Sequence, residues 1–117
     1  MSSRRVLVIE DDIDNARTLV ALLKSEGHQA HYAINGYAGM TVARAFGPEV
    51  VILDLGLPGM DGYEVCARLK QQAKKPKVVV VSGYAAMPDR ERSKAAGCDL
   101  HLAKPADPKQ LLDLIAG

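Results

Sequence analysis

An α/β protein of (βα)5 type, one parallel sheet covered by helices on both faces, is predicted by three observations. Short apolar runs recur at nearly regular intervals, and the stretches between them carry helical spacing. The clearest runs are continuous rather than alternating, the pattern of strands buried on both sides. At 117 residues the chain has the length of one domain with one core, and residues 1–117 are treated as a single unit. Apolar residues make up 48% of it, but only Phe46 and four tyrosines are aromatic, so the core must be aliphatic.

The first strand is predicted at Val6–Ile9 and is followed by a helix over Ile13–Glu26. There Ile13, Ala16, Val20 and Leu23 form one stripe and Gly27 stops the last turn. A weaker strand at Gln29–Tyr32 leads to a helix near Tyr37–Ala45, ended by Gly47 and Pro48. Val50–Leu53 is the third strand, Tyr63–Gln72 the third helix, closed before Pro76, and Val78–Val81 the fourth strand. The fourth helix, Asp89–Ala96, reads DRERSKAA and offers only alanines to a core, so weak packing and local mobility are expected. A weaker fifth strand at Asp99–Leu102 precedes the last helix. That helix has Asp107 as N-cap, Pro108 at its first position, and Pro108, Leu111, Leu112 and Ile115 on an apolar face. Neither an internal repeat nor a linker interrupts this alternation. The strand order expected is 2-1-3-4-5, that of a flavodoxin-like three-layer sandwich.

Charge excludes some functions. Fifteen basic and fourteen acidic residues leave a formal net charge of +1, so no broad basic surface drives nucleic-acid or membrane binding. The opening MSSRRVLVIEDD reaches acid after four apolar residues, too soon for a signal peptide or membrane span, and a soluble, cytoplasmic protein is expected. Cys66 and Cys98 are far apart and lack metal-ligand spacing, which suits reduced thiols rather than a disulfide.

Four of the five predicted strands run directly into a residue able to handle a phosphate or a cation: Glu10 and Asp11 after the first, Asp54 after the third, Ser82 after the fourth, Lys104 after the fifth. In an open parallel sheet these ends share one edge, where ligands bind at the topological switch point. Clustered carboxylates repel and raise one another's pKa unless a cation neutralises them. Mg²⁺ suits the site, because it takes oxygen ligands and the His/Cys set that zinc wants is missing. Asp54 is expected at the rim, where a carboxylate can act as nucleophile in phosphoryl transfer, with Lys104 and Ser82 available to the developing charge. For any one of these positions the plainer account, a helix cap or a loop residue, is the better one; for the whole set together it is not.

The segments VLVIEDD, VILDLGLPGMDG, VVVVSGY and GCDLHLAKP, in this order and spacing, make the sequence resemble a response-regulator receiver domain, CheY-like, over essentially its whole length. The resemblance implies phosphorylation of Asp54 by a phosphohistidine of a histidine kinase or histidine phosphotransfer protein. It implies Mg²⁺ held by Glu10, Asp11, Asp54 and the backbone carbonyl of Gly56. Ser82 becomes the hydroxyl that follows the phosphoryl group on switching, Lys104 the partner of its oxygens, and Pro105 the residue after a cis peptide bond. Asp12 is read as a helix cap. Gly56 and Tyr84 occupy the two positions that tune access of water to the acyl phosphate. The protein implied is a signalling phosphoacceptor that catalyses only its own phosphorylation and slow dephosphorylation, monomeric or weakly dimeric when phosphorylated.

Two departures stand out. His101 occupies the place of the Tyr or Phe whose rotation reports phosphorylation. It is either a switch residue that adds pH sensitivity or an edge-strand residue without that role. Ala106 replaces a frequent phenylalanine. The wording DLGLPGMDGYEV, with SGY and DLHLAKPADPKQLLDLI, is similar to receivers attached to hybrid histidine kinases, and the chain stops after the fifth helix. His28 and His31 are given no metal role. A haloacid-dehalogenase-type phosphatase would need an aspartate where Gly56 stands, a pseudo-receiver would lack the acidic set, and no phosphate-cradling glycine motif follows the first strand.

Overall fold

The run Val50–Asp54 is aliphatic until its last residue, and all five of its residues are buried, as a strand covered on both faces requires. The computed structural model describes residues 3–57, 60–83, 90–104 and 106–116. In chain order the elements are β1 (Arg5–Ile9), α1 (Ile13–Ser25), β2 (Gln29–Ala33), α2 (Gly36–Phe46), β3 (Val50–Asp54), α3 (Gly62–Lys70), β4 (Lys77–Ser82), α4 (Arg90–Ala96), β5 (Leu100–Ala103) and α5 (Pro108–Ala116). The sheet is parallel throughout, in the order β2-β1-β3-β4-β5. Every predicted element is present, with no end shifted by more than two residues. Asp89, the first residue expected in the fourth helix, lies outside the described residues.

Alternate strand residues serve opposite layers, the consequence of a period of two. Leu7, Ile9, Val51, Leu53, Val78 and Val80 pack with Met40, Val65, Leu69 and Ala96 from α2, α3 and α4. Val6, Val8, Val50, Ile52, Val79 and Val81 pack with Val20, Leu23, Leu111 and Ile115 from α1 and α5. Each such aliphatic side chain taken from water contributes about 1.5–3 kcal/mol. The closeness of α2 to β1 depends on Gly39, where a Cβ would stand 2.5 Å from Ile9 Cδ1. Gly47, with φ 62°, closes α2 in the left-handed conformation that glycine adopts without strain.

Three expectations need correction. Ile13 is 47% exposed, because helical side chains lean toward the N-terminus and at the first position this one leans past the start of the helix; the buried stripe of α1 is Ala16, Val20 and Leu23. Pro108 is exposed for the same reason, leaving Leu111 and Ile115 as the buried face of α5. Asp54 is buried rather than at the rim, since β3 lies between β1 and β4 and its last residue still pairs with Val81. Weak packing of α4 does match the sequence: among its described side chains only Ala96 is buried.

Candidate functional site

Parallel pairing brings the ends of β1, β3, β4 and β5 to one edge. Ile9 pairs with Leu53, Asp54 with Val81, and Ser82 with Ala103, so Glu10, Asp54, Ser82 and Lys104 follow or end four adjacent strands. Backbone bonds lock the exits: Glu10 N–H donates to Ala33 O at 2.9 Å, Leu55 N–H to Val81 O at 3.1 Å and Lys104 N–H to Ser82 O at 2.8 Å.

Carboxylate oxygens of Glu10, Asp11 and Asp54 lie within 4.8 Å of one another, Asp11 exposed and the other two buried. Lys104 Nζ is 2.8 Å from Asp54 Oδ2 and 4.0 Å from Glu10 Oε2. The second carboxylate oxygen, Asp54 Oδ1, accepts from Gly56 N–H at 2.8 Å. Asp12 stays apart from the cluster and accepts from Asn15 N–H at 3.1 Å, the helix cap that its position suggested. Ser82 is buried at the end of β4. Along the lower side of the site a cleft of about 470 Å³ runs between α1 and α5, with Glu10, Asp54 and Lys104 at one end and Leu19, Leu22 and Leu111 further in.

Electrostatics separate the acids. Burial, then a hydrogen bond and charge repulsion from Asp54, push Glu10 up from 4.5 to about 7. Burial also acts to raise Asp54, but the hydrogen bonds it receives from Glu10, Lys104 and Gly56 outweigh that and hold its carboxyl below the usual range. Lys104 is itself raised: burial works against its charge, and the bond and charge of Asp54 prevail. Protonation of Glu10 relieves the repulsion between it and Asp54. Glu10 Oε2 is buried with no hydrogen-bond donor within reach. A buried carboxylate oxygen without a hydrogen bond, beside two further carboxylates, is the donor set a hard divalent cation takes, so the residues present fit Mg²⁺.

His101 lies on β5 beside Val80, three residues before Lys104, and burial holds its imidazole below its usual value. His28 Nδ1 accepts from Arg4 N–H at 3.1 Å, and His31 stacks edge-on against Phe46 at 4.5 Å, both structural contacts. The access position Tyr84 and the peptide bond before Pro105 lie outside the described residues. Sequence reading missed Asn15, whose side chain donates toward Glu10 and lowers it. Its signal was available: it stands in the first turn of the helix that follows the acidic pair.

An acidic, metal-competent cluster facing a lysine at the C-terminal edge of a 2-1-3-4-5 parallel sheet is the arrangement of a signal-receiver domain. The chain belongs to the response regulator receiver domain family, whose model matches residues 6–116. It is 33% identical over 108 residues to the cell cycle response regulator CtrA of Brucella ovis, covering 92% of this chain and 47% of that protein. The chain therefore spans about half the length of the curated relatives it matches. Among solved structures it resembles a CheY-like response regulator receiver domain protein from Methanospirillum hungatei, with TM-score 0.89, 27% identity and coverage of 98% and 92% of the two chains. It also resembles the signal receiver domain of a signal transduction histidine kinase from Syntrophus aciditrophicus, with TM-score 0.84, 27% identity and coverage of 97% and 88%. Receiver domains of this family work in two-component signalling rather than in metabolism. None of the described helices is long and apolar enough to cross a membrane.

Proposed function

We propose that residues 1–117 act as one phosphoacceptor unit. Asp54 takes a phosphoryl group from a phosphohistidine of a histidine kinase or histidine phosphotransfer protein, with Mg²⁺ required, and the new charge alters the surface shown to a partner. The observation that carries this reading is the convergence of Glu10, Asp11 and Asp54 within 4.8 Å, with Lys104 Nζ 2.8 Å from the Asp54 carboxylate. An Asp54 oxygen forms the new O–P bond as the donor's N–P bond breaks, and the imidazole leaves with that electron pair. Gly56 N–H and Lys104 hold the carboxylate in place beforehand, and Lys104 then pairs with the phosphoryl oxygens. Ser82 offers its hydroxyl to the same oxygens. Glu10, Asp11, Asp54 and the Gly56 carbonyl would hold Mg²⁺, which would supply neutralising charge for the phosphoryl group.

The transmitted change runs from Ser82 toward His101 on β5, with α4, β5 and α5 as the surface that reads it. Gly56 and Tyr84 set how freely water reaches the acyl phosphate. This reading puts the reaction in the cytoplasm. The test is incubation of the purified chain with Mg²⁺ and acetyl phosphate, followed by intact mass. One phosphoryl adduct is expected, lost in Asp54→Asn and on chelation. An adduct that survives Asp54→Asn, or none with any donor, overturns the assignment, and repeated turnover of a small phosphate ester points to a phosphatase instead.

A further inference from the structure

The two cysteines that sequence spacing separates meet in the fold. Cys66 lies on the inner face of α3, fully buried, and Cys98 sits between α4 and β5, partly exposed. Their sulfurs are 3.1 Å apart. That is about 1 Å beyond the length of a disulfide bond, so a small side-chain movement joins them. Three contacts fix the turn that presents Cys98. Gly97 adopts φ 84°, which lets the chain reverse immediately after α4. Asp99 Oδ2 accepts from Val78 N–H at 2.7 Å and from Lys70 Nζ at 2.6 Å. Cys66 Sγ also lies 3.5 Å from Ala96 O. Both thiols are thus held face to face by anchors on β4 and α3.

We propose that Cys66 and Cys98 form a reversible intrachain disulfide, a redox-modification site that ties α3 to the turn between α4 and β5 and takes a peroxide or a small disulfide as oxidant. The roles differ. Shared hydrogen bonding with Cys66 pulls Cys98 down toward the thiolate, whereas the same bond, with burial behind it, pushes Cys66 up. The partly exposed member is therefore the attacking sulfur and the buried one resolves. With a peroxide, the Cys98 thiolate takes one oxygen as the O–O bond breaks, giving a sulfenic acid and, after protonation, water or an alcohol. The Cys66 sulfur then attacks the Cys98 sulfur, the S–O bond breaks and a second water leaves. Two thiols are oxidised and one peroxide is reduced. With a small disulfide such as oxidised glutathione, two exchange steps give the same bond and two small thiols.

The site is independent of Asp54, so it is tested without phosphorylation. The full chain is treated with hydrogen peroxide and, separately, with oxidised glutathione, and read by intact mass and by peptide mapping without reductant. The monomer is expected to lose two hydrogens, to yield a linked pair of Cys66 and Cys98 peptides, and to regain its mass with dithiothreitol. Its thermal midpoint should rise by several degrees, because the bond closes a loop of about 30 residues in the unfolded chain. Cys98→Ser, a change at a partly exposed position, should abolish the mass loss and the midpoint rise together. A stable glutathione adduct on Cys98, a Cys98-linked dimer, or oxidation of Cys98 to a sulfinic acid with Cys66 still open to alkylation overturns the proposal.

Discussion

Strand β3 ends in one member of an ion pair and β5 leads directly into the other, yet the two strands are packed very differently. All five residues of β3 are buried, whereas none of the four in β5 is. The side chain of Asp54 is 6% exposed and that of its partner Lys104 is 40% exposed. The helices follow suit: α3 buries Val65, Cys66 and Leu69, while α4 buries only Ala96 among its described side chains. Asp54 is thus held in a fully buried strand and its cation beside a half-exposed one. A group that must be aligned for chemistry needs the first environment, and an element that must shift when charge changes needs the second.

The largest stability difference should follow that contrast. Leu53→Ala, at a fully buried site on β3, is expected to cost about 3 kcal/mol, and Leu100→Ala on β5 about 1 kcal/mol. Urea unfolding of both variants decides it. Equal losses would mean that β5 is as firmly packed as the centre and would break the comparison.

The next effect concerns charge within the well-packed half. Glu10 is raised from 4.5 to about 7, so the fold favours its protonated form. That contribution is fully present below 4.5 and is lost as pH rises to about 7. Glu10→Gln, which cannot ionise, should flatten this part of the stability profile. His101, lowered by burial, acts in the opposite sense, so the difference between the wild type and Glu10→Gln isolates the acid. Metal binding must expel the same proton, and Mg²⁺ affinity should rise up to about tenfold per pH unit and level off above the Glu10 pKa. Calorimetric Mg²⁺ titrations across this range that show no slope would remove Glu10 from the ligand set.

Most of the architecture was legible because hydrophobic runs decide it. Val50–Leu53 and Val78–Val81 can only be two-sided strands, and their order places the acids. Position along a helix was less legible. Ile13 belongs to the apolar stripe by spacing but stands exposed at the first helical position, which no periodicity reveals. Depth was misjudged at Asp54 because a strand-end residue is buried or exposed according to its neighbours, and those come from elsewhere in the chain. The contact of Cys66 with Cys98 was invisible for a related reason. It depends on how α4 ends and turns back against α3, a tertiary angle that neither local pattern carries.

A smaller effect tests the division of labour within the acidic triplet. Asp12 caps α1 through Asn15 N–H and stands outside the cluster that Glu10 and Asp11 join. Asp12→Ala should cost about 1 kcal/mol in thermal or urea unfolding. Its Mg²⁺ affinity should stay near that of the wild type, whereas Asp11→Ala should weaken Mg²⁺ binding with little loss of stability. The reverse pattern would exchange the two roles.

The smallest effect is expected at Gly56, where the rigid half of the site meets solvent. A Cβ there would stand 3.4 Å from Asp54 Oδ1, ordinary contact rather than a clash, and the backbone does not require glycine's left-handed freedom. Gly56→Ala should therefore fold as the wild type does and keep the Gly56 N–H bond to Asp54. One methyl group beside the acyl phosphate narrows the approach of water, so its half-life should lengthen by about twofold with little change in the rate of phosphorylation. The decay of the phosphoryl adduct, followed by intact mass after removal of acetyl phosphate, gives that number. An unchanged half-life would move control of water access to other groups around the acceptor and away from the well-packed β3 edge.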